Sequence, residues 1–197
     1  MNTIKTILTT EAVFNDEQTK RYLLKKTWQP ELPKLTICML APSIASGIEL
    51  DSTTSLVLNN ASTLGFGSVS IVNLFATLGD FSLNEAENED PENLKAIIEA
   101  AKSADVVIYA PGVGKAKLQV FQDRSRQVLE ALRPFQKKLR CLSNASGKVK
   151  LLHPLCPAVH TWRISELPLE ELLPTPDPKS TPKKKGRPMV VKKEASE

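Results

Sequence analysis

Three short motifs pair side chains able to do chemistry with neighbours that mark the end of a strand. Ala41-Pro42-Ser43 follows the apolar run Leu35–Leu40, Asn73-Leu74-Phe75-Ala76 follows Ser68–Val72, and His153-Pro154-Leu155 comes late in the chain. A loop holding Pro42 and Ser43 can present backbone amides and a hydroxyl to an anion or a base. The Asn73 amide offers a donor and an acceptor to the edge of a planar ligand. An imidazole at His153 can stabilise a developing anion. Each residue also has a plainer use. Pro and Ser are ordinary turn residues, and an Asn can bond the local backbone. Asp51 and Thr53 would face the first loop, yet they are also what a helix start needs, and the cap is the stronger reading. Position makes the others site candidates beside these plainer uses, because ligands of open α/β sheets bind outside the carboxyl ends of the strands.

Other combinations fall short of a site. Gly112-Val113-Gly114-Lys115 follows a strand but lacks the longer spacing and the Ser or Thr after Lys that a phosphate loop requires. It reads as a tight turn exposing Lys115. His153, Cys156 and His160 make only three zinc ligands beside two prolines, so no metal is expected. Ser43, Asp51 and His153 have the residue types of a hydrolytic triad, but no nucleophile elbow accompanies them.

The elements that must carry these residues alternate in type. Leu35–Leu40, Ser68–Leu74, Asp105–Tyr109 and Leu139–Leu142 are short apolar runs of the kind found in buried strands. Between them, Asp51–Leu64 places Val57, Ala61 and Leu64 at helical spacing. Asp90-Pro91 supplies a cap and a first-turn proline ahead of the stripe Leu94, Ile97, Ile98 and Ala101. Asp123–Arg133 is a third helix, ended by Pro134. Such alternation implies βαβ units. The expected fold is a three-layer α/β/α domain over residues 1–173 with a mostly parallel sheet. Residues 1–34 form an N-terminal edge segment, with a strand pair within Met1–Trp28 extending or covering the sheet edge.

Composition fits one soluble domain. The chain has 197 residues, 41% of them hydrophobic and only 5% aromatic, so the core must be aliphatic. Val106–Val113 is too short to span a bilayer and is broken by Pro111 and Gly112, and Met1–Thr10 lacks the apolar run of a signal peptide. The three cysteines imply no disulfide framework. The expected location is the cytoplasm, with no membrane partner. Residues 174–197 hold seven Lys or Arg against three Asp or Glu. The first 173 hold 19 of each sign, so the whole formal charge of +4 lies in the tail. With five prolines and few apolar residues, 174–197 is expected to be disordered.

Within the tail, Pro182-Lys183-Lys184-Lys185-Gly186-Arg187-Pro188, followed by Lys192 and Lys193, resembles an AT-hook. Such a segment lays Arg in the narrow minor groove of A·T-rich duplex while flanking lysines meet phosphates. Over most of Arg21–Trp162 the chain resembles a bacterial family, domain of unknown function 1643. The resemblance rests on Arg21-Tyr22-Leu23-Leu24, Trp28, Met39-Leu40 with Pro42-Ser43, Asp51 with Thr53, Gly65-Phe66-Gly67, Val72-Asn73-Leu74-Phe75-Ala76, Gly112, Arg124 and His153-Pro154-Leu155. It implies that Asp51 and Gly112 join Pro42, Ser43, Asn73 and His153 as ligand-binding candidates. Ala41 and Pro111 stand where that family usually reads Asn and Trp.

More distantly, the order of motifs resembles the uracil-DNA glycosylase superfamily. That likeness implies that Asn73 reads a base, that His153 steadies the leaving base, and that Ala41 or Ser43 lies near the hydrolytic water. His153 and Ser43 are the candidate catalytic residues. Two functions are therefore expected to compete. One is a DNA-associated protein with a nucleotide- or base-sized pocket and a tail that binds duplex DNA and associates with the nucleoid. The other is a glycosylase-like hydrolase. No cofactor is expected for either.

Overall fold

Seven strands form one sheet in the order β1-β2-β4-β3-β5-β6-β7. They are β1 (Thr9–Phe14), β2 (Arg21–Thr27), β3 (Lys34–Met39), β4 (Ser68–Asn73), β5 (Val106–Tyr109), β6 (Leu139–Leu142) and β7 (Ile164–Glu166). The computed structural model describes residues 1–43, 47–79, 90–148 and 150–173. The basic tail, including the AT-hook-like residues Lys183–Pro188 and Lys192-Lys193, lies outside the described residues.

The sheet is mixed, which corrects the expectation of a mostly parallel one. β4, β3, β5 and β6 run parallel at the centre, while β1/β2, β2/β4 and β6/β7 pair antiparallel. The N-terminal strands form a hairpin that adds to the β4 edge, extending the sheet there. At the other edge, β7 is three residues long and carries no apolar run that would announce it.

Helices α1 (Ser52–Thr63), α2 (Pro91–Ser103) and α3 (Gln119–Leu132) connect the parallel strands, and a short α4 (Leu169–Leu172) follows β7. α1 starts at Asp51, whose carboxylate accepts the Thr54 N–H at 2.5 Å. α2 starts at Asp90, which accepts from Asn93 N at 3.1 Å, with Pro91 in the first turn. α3 begins four residues before the expected Asp123, without a side-chain cap, because Phe121 packs inward and extends the apolar face. α3 ends at Leu132, ahead of Pro134 and within a residue of the expected end, and the chain tightens into a 3₁₀ turn over Arg133–Lys138.

Strand residues alternate between two apolar clusters, as a pleated strand dictates. Ile37, Met39, Val69 and Ile71 pack with Val57 and Ala61 of α1 and with Leu152 and Trp162. Cys38, Val72 and Leu74 pack with Ile97 and Ala101 of α2 and with Val128, Leu129 and Leu132 of α3. Among the described residues no helix is long and apolar enough to cross a membrane.

Candidate functional site

The parallel strands run second, first, third, fourth in chain order, so the chain leaves β3 in one direction and enters β5 on the other side of it. That reversal opens a crevice beyond the carboxyl ends of β3 and β5, where open α/β sheets bind ligands. A cleft of about 520 Å³ lies there, lined by Leu40 and Ala41 after β3, Pro111–Lys115 after β5, and Leu152, His153, Leu155 and Cys156 from the loop after β6.

His153 is held from three sides. Its carbonyl accepts the Cys156 N–H at 2.8 Å, closing a turn whose second residue, Pro154, presets the backbone. Its Nδ1 accepts the Leu155 N–H at 3.2 Å. Behind it, Gly112 has φ +81°, and a Cβ built there would lie 3.1 Å from the His153 Cβ. Gly112 is thus glycine on two counts, backbone sign and close approach. Burial lowers the His153 pKa below its usual value, against an upward pull from the Asp51 carboxylate. The imidazole is therefore neutral at pH 7. With Nδ1 occupied as an acceptor, its proton sits on Nε2 as a donor.

The loop between β3 and α1 is gripped from below by two buried cations. Arg21 Nη1 donates to the Ser43 carbonyl at 3.2 Å, and Lys26 Nζ donates to the Gly47 carbonyl and to Thr10 Oγ1. Burial lowers the pKa of both, and Asp51 partly offsets this for Arg21. Burial also presses on the Asp51 carboxyl, tending to raise its pKa. Hydrogen bonds from the Ser43 hydroxyl and from Thr54, with the Arg21 charge, outweigh that and hold it below the usual carboxylate range. Ser43 and Asp51 thus sit together at the start of α1, in electrostatic reach of His153, with Pro42 leading into them. Among the described residues neither Ser43, Pro42 nor Asp51 lines the cleft beside His153.

Asn73 closes β4 beside Met39 of β3. Two residues beyond Ile71, it falls on the α1 face of the sheet. It is 1% exposed, and its Nδ2 has no hydrogen-bond partner among the described residues. Its backbone, by contrast, is pinned from the opposite face. Asn93 Nδ2 donates to the carbonyls of Asn73 and Leu74 at 3.1 and 3.0 Å, and Arg124 Nε donates to Leu74 O at 2.8 Å. The structure therefore brings Gly112 and His153 together on one cleft wall with Ala41, joins Ser43 to Asp51 behind it, and sets Asn73 one strand away.

Sequence reasoning assigned no site role to Arg21, Lys26, Asn93 or Arg124. Arg124 carried a signal: it lies three residues after Phe121 and four before Val128, inside an apolar stripe. Lys26 carried another, two residues from the buried Leu24 on the same strand face.

Fold and cleft together define an α/β protein with an open cleft at the switch point of its parallel strands. The family model described as "Protein of unknown function (DUF1643)" matches residues 21–155, which takes in the strand-end loops just described, and the chain belongs to that family. No curated protein and no solved structure matches the chain.

Proposed function

We propose that this chain is a DNA-associated protein, an α/β/α domain whose strand-end cleft takes a nucleobase or nucleotide and whose tail holds duplex DNA. The observation that carries the reading is His153 on the wall of a cleft at the switch point, its Nδ1 accepting the Leu155 N–H so that Nε2 is left as the donor. Such a donor meets a carbonyl or ring nitrogen without the charge of an imidazolium. The second donor assigned to a base edge is the Nδ2 of Asn73, which has no partner among the described residues; its side chain is buried one strand from the cleft and does not line it. The tail contribution rests on charge: residues 1–173 are formally neutral, so the cations of 174–197 are the electrostatic footprint for a polyanion.

Glycosylase-like hydrolysis is the second reading, and one observation favours it. An imidazole donor on the wall of this cleft can stabilise the oxyanion of a departing base. Ala41 weighs against it, because the cleft wall after β3 carries a methyl group where an acid or amide would orient water. Hence binding stands first.

Incubation with uracil- and hypoxanthine-containing oligonucleotides separates the two readings. Bound substrate without abasic sites is expected, and abasic sites lost in His153→Ala would promote the hydrolase. Salt titrations on A·T-rich and G·C-rich duplex test the tail. Truncation after Leu173 should remove most of the affinity, and Arg187→Ala should erase the A·T preference more than the general affinity. Equal affinity with and without the tail would remove the DNA-tether reading.

A further inference from the structure

The turn Gly112–Lys115, which fails as a phosphate loop by spacing, takes on a different meaning once its position is known. All four residues line the cleft beside His153. Ala110 N–H still donates into the sheet, to Cys38 O, and Ala116 N–H closes the turn on Val113 O. Between them, among the described residues, the N–H groups of Gly112, Val113, Gly114 and Lys115 donate to no protein acceptor. A Cβ at Gly114 would meet nothing within 4 Å, so the backbone there is open.

The rest of the wall has the same polarity. Lys115 is the one charged residue lining the cleft among those described, and no Asp or Glu lines it. His153 presents Nε2–H. Apart from the Cys156 thiol, the polar side chains of this cleft are donors. A cleft built in this way is complementary to an acceptor-only, anionic group, and successive backbone amides with one lysine suit a phosphate in particular. The neighbouring hollow on the α3 side, about 260 Å³, contrasts with this. Its Tyr109 hydroxyl and Ser125 Oγ, 2.6 Å apart, satisfy each other.

We propose that the Gly112–Lys115 turn holds the phosphate of a nucleotide whose base lies toward His153. This rests on the nucleobase or nucleotide reading above and deepens it. A phosphate monoester of a free nucleotide and a phosphodiester of a strand present the same oxygens to the turn.

The test is calorimetric binding of deoxyuridine, deoxyuridine monophosphate, abasic ribose phosphate and a short uracil-containing single strand to the full chain. Lys115→Gln and Gly114→Ala serve as variants, each checked for an unchanged melting temperature. The monophosphate is expected to bind about tenfold more tightly than the nucleoside, the size of one charge-assisted contact. Lys115→Gln should remove that advantage and leave nucleoside binding unchanged, while Gly114→Ala should weaken every phosphate-bearing probe. A strand that outbinds the monophosphate, with the same Lys115 dependence, identifies phosphodiester as the source. The opposite order identifies a free nucleotide. Equal affinity for nucleoside and monophosphate in the wild type and in Lys115→Gln would overturn the phosphate assignment and leave the base reading standing. Abasic ribose phosphate binding as tightly as the monophosphate would uphold the turn as an anion site and overturn the base reading. No binding by any probe would overturn both.

Discussion

The carboxyl ends of β4 and β5 are two strands apart, and both carry chemistry-bearing residues, yet they are built in opposite ways. After β4, polar groups are spent on the fold. Asn93 and Arg124 reach through the core to hold the carbonyls of Asn73 and Leu74, and Phe75 and Ala76 are buried behind them. After β5, donors have no protein acceptor among the described residues: four backbone N–H groups, a lysine and an imidazole Nε2–H surround an open cleft. A polar residue at a strand end is therefore no sign of a site by itself. What distinguishes the β5 end is that its donors line an open cleft and, among the described residues, meet no protein acceptor. Asn73 belongs to the β4 end: its backbone carbonyl is held by Asn93, and its side chain is buried and does not line the cleft.

Perturbing the scaffold side should have the largest effect. Arg124→Ala removes a buried guanidinium that bonds Leu74 O and, at 2.6 Å, Gln127 Oε1, and it leaves a cavity between α3 and the sheet. A loss of about 3 kcal/mol in chemical unfolding is expected. Near-zero loss would show that the β4 end does not depend on this network.

Gly112→Ala comes next, because it strikes both structure and site. A φ of +81° strains alanine, and the new methyl would press on the His153 Cβ at 3.1 Å. About 1–2 kcal/mol of destabilisation is expected together with loss of cleft binding. Gly114→Ala, with open space around it and no positive φ, should stay within about 0.5 kcal/mol of wild type. Equal costs for the two would mean that contact with His153 is unimportant.

The two asparagines sharpen the contrast. Asn93→Ala strips the bonds that hold two buried carbonyls and should cost about 1–3 kcal/mol. Asn73→Ala deletes a side chain whose Nδ2 is unpartnered among the described residues, so its stability cost should be clearly smaller while base discrimination is lost. The reverse ranking would move the Asn73 side chain into the scaffold.

The smallest effect is on pH dependence. The His153 pKa is lower in the folded state than in the unfolded one, where it is near 6.5. Below that pH the unfolded chain binds more protons, so His153 makes stability fall as pH falls, and it adds no pH dependence above pH 7. Asp51 has a depressed pKa, so its contribution is present above its unfolded value, near 3.8, and lost as pH falls through the folded one. His153→Gln should flatten the stability profile below about pH 6.5. An NMR titration of the imidazole giving a pKa above 6.5 would contradict the neutral donor.

The α/β alternation and both helix caps were legible because they are local: Asp51 and Asp90-Pro91 act on amides within three residues. The antiparallel flanks were not. Whether the N-terminal hairpin covers or extends the sheet depends on Leu24 meeting Ile71, a pairing across 47 residues that no local pattern encodes. β7 and α4 are too short to show periodicity. At the cleft, His153 was legible as a polar residue beside a proline in a late loop, and Asn73 as a polar residue closing a strand, although Asn73 does not line the cleft. The protonation state of His153 was not, since it comes from burial and a backbone N–H two residues on. The buried role of Arg124 was obscured by reading α3 from Asp123, which cut Phe121 out of the stripe that would have shown the arginine facing inward.

Titration of isotope-labelled protein with deoxyuridine monophosphate, followed by NMR, tests the central claim most directly. The account predicts shifts at the backbone amides of Gly112–Lys115, at the His153 ring and at the Asn73 side-chain amide, with the Asn93 and Arg124 signals unmoved. Saturation that shifts Asn93 and Arg124 while leaving Gly114, Lys115 and His153 in place would contradict it.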